Sequence, residues 1–127
     1  LPDFDEFLPL DKLPDAASVC DILICCIALT AETRGIVSKE IFDCLPAGAI
    51  FVNVARGALA DDASLTAWLQ SSGQAVLDVF EEDPLPENSP LWDMENVILT
   101  PHNSFVGDGN RARLWETISK ALIGDNV

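Results

Sequence analysis

The feature that most constrains the fold is a regular alternation of short apolar runs with segments that carry helix signals. The apolar runs cover residues 21–28, 49–54, 75–80 and 97–100, and each has the length of a strand. Runs without polar alternation are typical of strands that are buried on both faces. Helices are predicted at 10–19, 38–45, 63–71 and 110–123. The alternation predicts an α/β fold in which helices flank a parallel sheet with right-handed connections.

The helix ends are marked by residues that cap or stop a helix. Ser38 is a suitable N-cap for the second helix, and Gly48 follows its end. The third helix has two candidate N-caps, Asp61 and Asp62, and Gly73 is expected to close it. A proline-rich acidic loop is predicted at 81–96.

The bulk composition limits the class of protein and its partners. The 127 residues correspond to about one domain, and a hydrophobic content of 49% is enough for a packed core. The net charge is −14, with 7 basic residues against 21 acidic ones. Nucleic acid binding requires clustered Lys and Arg, so we expect no nucleic acid partner and a solvated acidic surface instead.

The cysteine pattern predicts a reduced protein without a metal site. No C-x-x-C spacing occurs among Cys20, Cys25, Cys26 and Cys44, and one histidine cannot complete a Cys/His zinc set. Free thiols within apolar runs behave as small hydrophobic groups. These observations favour a cytoplasmic location.

Two further features of the sequence concern its extent and its surroundings. No apolar stretch has the length of a transmembrane helix, so no membrane partner is expected. The only methionine is Met94, and the sequence as given therefore has no start residue. We expect it to be a segment of a longer protein or a trimmed polypeptide.

Four polar or small residues fall at or just after the ends of the predicted strands: Ala28, Arg56, Asp78 and His102. In parallel α/β sheets, ligands bind outside the carboxyl ends of the strands. A cation, a carboxylate and an imidazole at one edge of the sheet predict a shared site that binds an anion and transfers a proton.

Arg56 is the candidate anion-binding residue. It precedes Gly57, which suits a sharp turn and a close approach of the backbone. A guanidinium there can hold a substrate carboxylate through two parallel hydrogen bonds. The alternative is a structural ion pair, for which a chain with 21 acidic residues offers many partners. Both alternatives stay open from the residues alone.

His102 is the only histidine and the candidate proton donor or acceptor. An imidazole titrates near neutral pH, and a neighbouring carboxylate orients it and favours its protonated form. Asp78 and Asp83 both qualify as that carboxylate, whereas Glu81 and Glu82 fit a solvated surface. A structural role for a lone histidine is the alternative.

One glycine-containing segment resembles a cofactor-binding motif, but we assign it no function. Residues 107–112 match the dinucleotide fingerprint G-x-G-x-x-A and precede a predicted helix, but they do not directly follow a strand. No later strand supplies an acid for the ribose. We interpret the segment as a loop followed by the start of a helix.

Four segments in this order and at this spacing resemble the D-isomer-specific 2-hydroxyacid dehydrogenases. This family includes phosphoglycerate, glyoxylate/hydroxypyruvate and D-lactate dehydrogenases. The resemblance extends over most of the chain. The segments that carry it are LTAETRG at 29–35, VNVARG at 52–57, LDVF to PLP at 77–86, and NVILTPH at 96–102.

The resemblance implies roles for the residues at matching positions. Arg56 matches the arginine that binds the substrate carboxylate and 2-oxo group, and His102 matches the acid/base. Asp83 stands where the family has a glutamate paired to that histidine, and Asp78 matches an aspartate at the nicotinamide end of the cofactor. The positions that are implied to line the cofactor are Cys26, Ile27, Ala28, Thr33, Val54, Ala55 and Ser104.

The resemblance also implies the architecture of the chain. Residues 1–127 match the C-terminal portion of a Rossmann NAD(P)-binding domain, a parallel-sheet half domain with flanking helices. The glycine-rich loop half and the catalytic domain have no counterpart in this sequence. We therefore expect the intact protein, a homodimer, to use NAD or NADP and a small 2-oxo acid, and the segment alone to be inactive.

Three positions depart from the family pattern. Asp83 replaces the usual glutamate, Ala28 replaces a usual proline, and the stretch at 73–77 is about three residues shorter. Two alternative functions remain. A non-catalytic module that senses dinucleotide is suggested by Asp83 and by the absence of a phosphate-binding loop, and a purely structural fragment is suggested by the absence of a start methionine. Turnover of cofactor with glyoxylate or hydroxypyruvate separates catalysis from both.

Overall fold

The computed structural model of the chain describes residues 5–104, 107 and 109–123. The strands are β1 (Ile22–Cys25), β2 (Ile50–Asn53), β3 (Gln74–Leu77) and β4 (Val97–Leu99). The helices are α1 (Leu13–Ala17), α2 (Lys39–Cys44), α3 (Asp62–Ser71) and α4 (Asn110–Ile123). Short 3₁₀ turns occupy Leu10–Lys12, Gly57–Leu59 and Pro90–Asp93. These elements confirm the predicted α/β alternation, although the strands are shorter than the apolar runs that marked them.

The four strands form one parallel sheet in sequence order, β1-β2-β3-β4. Their last residues are in register across the whole sheet. The main-chain hydrogen bonds continue for one residue beyond that row, from Asp78 N to Asn53 O at 3.0 Å and from Thr100 N to Leu77 O at 3.0 Å. The carboxyl edge of the sheet is therefore level. The row of final strand residues consists of Cys25, Asn53, Leu77 and Leu99.

The core lies on one face of this sheet, beneath α2 and α3. Phe51 of β2 is fully buried and meets the ring of Phe42 from α2 edge to face, with centroids 5.4 Å apart. Phe42 also stacks on Trp68 of α3, with centroids 5.2 Å apart. Aromatic pairs of this geometry add attraction beyond the area they bury, so the three rings tie both helices to the sheet.

The opposite face of the sheet corrects the expectation of strands buried on both faces. Ile22, Ile24 and Ile98 are 53%, 58% and 62% exposed. In the part of the chain that the structure describes, α2 and α3 supply their apolar side chains to the other face. Alternate strand residues are therefore buried, while their neighbours remain open to solvent.

The ends of α2 and α3 refine the predicted caps. Ser38 occupies the N-cap of α2 without a side-chain cap hydrogen bond. Asp61, rather than Asp62, caps α3 by accepting a hydrogen bond from Ser64 N at 2.8 Å. Gly73 was expected to close α3, and it directly follows the C-cap Ser72 and donates its N–H to Trp68 O at 3.1 Å. A Cβ at Gly73 would lie 2.3 Å from the Trp68 ring, so this glycine makes room for the indole.

α4 begins at Asn110, as predicted for the segment that follows the glycine pair. Gly109 has φ +78°, a left-handed backbone that glycine adopts without strain. Position 108, within the pattern that resembles a dinucleotide fingerprint, lies outside the described residues. None of the helices in the described ranges is long and apolar enough to cross a membrane.

Candidate active site

Arg56 follows β2 in an extended conformation and is exposed. Its Nη1 donates a hydrogen bond to the carbonyl oxygen of Ala55 at 2.6 Å. Among the residues that the structure describes, no carboxylate lies within ion-pair distance of the guanidinium. A structural ion pair, the alternative weighed above, is thus not formed in this part of the chain. The charge of Arg56 stays available for an external anion.

Gly57 allows the turn that carries Arg56 to approach the segment that follows β3 closely. A Cβ at this position would lie 1.9 Å from the carbonyl carbon of Phe80 and 2.2 Å from Glu81 N. Both are main-chain atoms, which cannot move aside as a flexible side chain can. Because only glycine allows this backbone contact, Gly57 keeps the Arg56 turn against the segment that leads to Asp83.

His102 and Asp83 form a side-chain pair. Nδ1 of His102 contacts Oδ2 of Asp83, and the two side chains are 37% and 36% exposed. The shorter Asp83 thus reaches the imidazole, as the family glutamate was implied to do. Glu81 instead pairs with Arg34 at 3.5 Å on the surface. Nδ1 is the ring nitrogen that faces the Asp83 carboxylate, and the transfer of a proton by Nε2 stays a prediction.

Asp78 is buried just past the end of β3, with 2% of its surface exposed. Its carboxylate accepts hydrogen bonds from Thr100 Oγ1 at 2.5 Å, Asn103 N at 2.9 Å and Ser104 N at 2.8 Å. Burial alone would raise the pKa of Asp78, but these donors outweigh it and hold the pKa far below its usual range. Asp78 is therefore ionised at every physiological pH.

The carboxylate of Asp78 holds the segment that carries His102. That histidine has φ +52°, a left-handed conformation that a residue with a Cβ adopts only at a cost. Two of the three donors to Asp78 belong to Asn103 and Ser104, the residues that directly follow His102. The structure thus uses Asp78 to maintain the turn. Its expected contact with a nicotinamide stays a prediction.

An open groove of about 560 Å³ lies between the ends of β1 and β2. Its walls combine small and apolar residues with Arg56. Val54, which directly follows β2, is 38% exposed. Four of the residues implied to line a cofactor contribute to this groove. The residues that line it are Cys26, Ile27, Ala28, Leu29, Ala55 and Arg56.

Thr33, another position implied to line a cofactor, supports the loop after β1. Its hydroxyl donates to the carbonyl oxygen of Ala28 at 2.8 Å and accepts from Thr30 N at 2.7 Å. Both hydrogen bonds lie within the turn, so Thr33 shapes the groove at Ala28. A direct role in binding a cofactor stays a prediction for Thr33 and Ser104.

A comparison with protein families identifies the origin of this arrangement. Residues 3–104 match the family described as D-isomer specific 2-hydroxyacid dehydrogenase, NAD binding domain. The matched range includes all four motifs and the whole carboxyl edge of the sheet. The chain belongs to this dehydrogenase family.

Curated and structural relatives agree with the family assignment. Glyoxylate/hydroxypyruvate reductase A of Salmonella paratyphi B is 39% identical over 107 residues, which is 83% of this chain and 34% of the relative. A D-isomer specific 2-hydroxyacid dehydrogenase of Xanthobacter autotrophicus Py2, solved in complex with NADPH and MES, has a TM-score of 0.77 at 41% identity. The match covers 95% of this chain and 52% of that one.

A further dehydrogenase neighbour is the NADPH-dependent glyoxylate/hydroxypyruvate reductase of Sinorhizobium meliloti, with a TM-score of 0.72 and 32% identity. The match covers 87% of this chain and 47% of that one. The chain thus spans about a third of the curated relative and about half of the solved structures.

Within this dehydrogenase fold, the predicted site residues form three groups at one edge of the sheet. Arg56 lines the groove beside β1, His102 pairs with Asp83, and Asp78 binds the residues after His102. The ends of β2 and β4 are two strand spacings apart, roughly 10 Å. That one small ligand meets both Arg56 and His102 stays a prediction.

Sequence reasoning missed two residues of the site. Thr100 donates to Asp78, and Asn53 binds the turn that carries Arg56. Asn53 did leave a signal, because it is the one polar residue in the apolar run at 49–54. A buried amide in such a run must find hydrogen-bond partners nearby.

Proposed function

We propose that the protein containing this chain reduces small 2-oxo acids to 2-hydroxy acids with a nicotinamide cofactor. The observation that carries the proposal is a guanidinium without a carboxylate partner among the described residues, at the same sheet edge as a His–Asp pair. The chain spans 34% of a reductase named for glyoxylate and hydroxypyruvate, which supports substrates of that size. The formed His102–Asp83 pair favours catalysis over a module that only senses dinucleotide.

In this proposal Arg56 binds and orients the substrate. Its planar guanidinium donates two parallel hydrogen bonds to the carboxylate of the oxo acid, and it exchanges the carbonyl of Ala55 for this stronger acceptor. A net charge of −14 would otherwise repel an anionic substrate. Arg56 therefore supplies both local attraction and orientation.

His102 supplies the proton in this proposal. When the cofactor is bound, it provides a hydride for the carbonyl carbon. Nε2–H of the protonated imidazole donates to the carbonyl oxygen and gives up its proton as the C–O double bond becomes a hydroxyl. Asp83 contacts Nδ1 and keeps the ring oriented for the transfer.

The groove between β1 and β2 fits the nicotinamide end of NAD or NADP. Small side chains at Cys26, Ala28 and Ala55 leave room for a flat ring, and the exposed faces of Ile27 and Val54 offer it apolar contact. The related dehydrogenase of Xanthobacter autotrophicus was solved with NADPH. We propose that these five residues hold the cofactor, whichever of the two dinucleotides is used.

We extend the proposal to the setting of the chain. Residues 1–127 would form the C-terminal portion of the NAD(P)-binding domain of a longer, homodimeric enzyme. The described cysteines Cys20, Cys25, Cys26 and Cys44 are free thiols, which supports a cytoplasmic location. Light scattering of the full-length source protein would test the dimer.

Replacement of Arg56 by lysine in the full-length source protein tests the proposed function. Lysine keeps the charge but lacks the planar fork, so kcat/KM for glyoxylate and hydroxypyruvate should fall by about 10²-fold. The matched control is Arg34→Lys, since Arg34 lies in a surface ion pair with Glu81. That change should leave kcat/KM nearly unaltered, because exposed ion pairs contribute little.

Oxidation of NADH and NADPH with each oxo acid provides the measurement. The proposal would be wrong if the unaltered protein turned over neither substrate with either cofactor. The role of Arg56 would be wrong if Arg56→Lys and Arg34→Lys behaved alike.

A further inference from the structure

Asn53 is a buried amide at the carboxyl end of β2, with 1% of its surface exposed. It is one of two polar or charged residues that are fully buried in the described part of the chain, and Asp78 is the other. Burying an amide is unfavourable unless its hydrogen bonds are satisfied. Both ends of the Asn53 side chain find main-chain partners, and both partners belong to the turn that carries Arg56.

The side chain of Asn53 clamps this turn from two sides. Its Nδ2 donates to the carbonyl oxygen of Arg56 at 2.9 Å, and its Oδ1 accepts from Ala55 N at 3.1 Å. The φ and ψ angles of Ala55 and Arg56 all lie between the two clamped groups. The direction of the Arg56 side chain from its Cα is therefore set by these two hydrogen bonds.

The main chain of Asn53 is itself a fixed base for the clamp. Asn53 lies in register between Cys25 and Leu77, and its carbonyl oxygen accepts from Asp78 N at 3.0 Å. Asp78 in turn binds the residues that follow His102. Asn53 thus links the turn that carries Arg56 to Asp78, and Asp78 holds the segment that carries His102.

We propose that Asn53 is a positioning residue for Arg56, acting on recognition of the substrate carboxylate without touching the substrate. This inference rests on the proposed function, because only under that function does Arg56 bind a substrate carboxylate. Without the clamp, the Ala55–Arg56 turn samples other conformations, and the guanidinium no longer meets the carboxylate as a planar fork. A displacement of about 1 Å at such a group can lower the rate by about 10²-fold.

The experiment compares Asn53→Ala with Asn96→Ala in the full-length source protein. Asn96 is a matched control, since its Nδ2 also donates to two main-chain carbonyls, Leu69 O at 2.8 Å and Gly73 O at 2.7 Å. It precedes β4 and so lies at the opposite edge of the sheet from Arg56. Both variants should lower the denaturation temperature, whereas the control should keep its substrate preference.

Discrimination between glyoxylate and glycolaldehyde, which lacks the carboxylate, provides the specific readout. We expect Asn53→Ala to reduce this preference by about 10²-fold, mainly through the loss of glyoxylate turnover. Asn53→Asp has the same size and keeps the acceptor for Ala55 N but loses the donor to Arg56 O. It should give an intermediate loss, and it preserves the test if the alanine variant fails to fold.

The Arg56→Lys variant separates failure of this inference from failure of the proposed function. If Arg56→Lys keeps the preference for glyoxylate, the proposed role of Arg56 is wrong, and the inference fails with it. If Arg56→Lys loses the preference while Asn53→Ala and Asn53→Asp keep it, as Asn96→Ala does, only the inference is overturned. If Asn53 acts through Arg56, adding Asn53→Ala to Arg56→Lys should cause little further loss of the preference for glyoxylate. Full additivity of the two losses in the double variant would contradict the inference.

Discussion

Asp83 has one methylene group fewer than the glutamate that the family resemblance places at its position, yet its carboxylate contacts Nδ1 of His102. The loop that follows β3 places the Asp83 carboxylate against the imidazole, so the shorter side chain is long enough. Both side chains are about one-third exposed, so their contact is open to solvent and to substrate. The function of such a pair is visible in the rate of the reaction.

We predict that Asp83→Asn lowers kcat/KM for oxo-acid reduction by about 10²-fold. Asparagine keeps the size of the side chain but removes the carboxylate that contacts Nδ1 of His102, so the orientation of the ring is held less firmly. Initial rates of both proteins with glyoxylate test this, and an unaltered kcat/KM would refute the role of the pairing.

Asp78 contributes to stability through the ionised form of its carboxylate. Its pKa is lower in the folded than in the unfolded state, so its stabilisation is present at neutral pH and is lost as the pH falls below about 3.9. Protonation would weaken the Asp78 carboxylate as the acceptor for its donors Thr100, Asn103 and Ser104. The same change would release the strained turn at His102.

We predict that Asp78→Ala lowers the free energy of unfolding at pH 7 by roughly 1–3 kcal/mol for each buried donor left unpaired. The difference from the unaltered protein should shrink at acid pH, where Asp78 is losing its own contribution. Urea unfolding at pH 7 and near pH 3 provides the measurement. The control is Asp62→Asn: burial, Glu81 and Asp61 raise the pKa of Asp62, so its charge opposes folding at neutral pH. An equal loss of stability in both variants would contradict the role of Asp78.

The level carboxyl edge of the sheet is the element-scale property that forms the site. Because the last residues of all four strands are in register, the segments after them leave the sheet at the same height. The two central connections then touch through their main chains at Gly57 and Phe80. This contact determines the spacing between the Arg56 turn and the loop of Asp83.

We predict that Gly57→Ala destabilises the protein by about 1–3 kcal/mol, because the added Cβ would lie 1.9 Å from a main-chain carbon of Phe80. The two connections must separate, so kcat/KM for glyoxylate should fall as well. Gly107→Ala is the control, since a Cβ there would lie 3.6 Å from Asn110 Oδ1, an ordinary contact. Thermal unfolding and initial rates of both variants provide the measurement. Unchanged stability in Gly57→Ala would show that the connections separate without cost.

On the scale of the whole molecule, the sheet has one packed and one open face. The helices α2 and α3 cover the packed face with an aromatic cluster of Phe42, Phe51 and Trp68. The open face presents isoleucine side chains of β1 and β4 to solvent. The match with the solved dehydrogenase of Xanthobacter autotrophicus covers 52% of that chain.

We predict that a polypeptide of these 127 residues binds NADH and NADPH at least tenfold more weakly than the full-length source protein, a difference of about 1.4 kcal/mol. The groove at β1 and β2 offers contacts for one end of a dinucleotide. Phosphate groups are normally bound by a glycine-rich turn between a strand and a helix, and none of the four described strands is directly followed by such a turn. Fluorescence titration with both cofactors measures the affinity. Equal affinity in the two proteins would contradict the prediction.

The sequence alone determined the order and type of the elements and the edge at which the site lies. Apolar runs and capping residues are local signals, and they predicted all four strands and the start of α4 at Asn110. The parallel order of the strands then placed Arg56, Asp78 and His102 at one edge. Local patterns overestimated the strand lengths, because the apolar run at 75–80 continues past the last paired residue of β3, Leu77.

Only the tertiary structure decided which atoms meet at that edge and which face of the sheet is covered. The choice of Asp83 as the partner of His102 and the capture of Thr100 by Asp78 join residues 19 and 22 positions apart in the chain. Such contacts depend on how loops are directed in space, which no local pattern encodes. An apolar residue in a strand has the same local signal whether a helix covers it or solvent does, so the open face also required the packed structure.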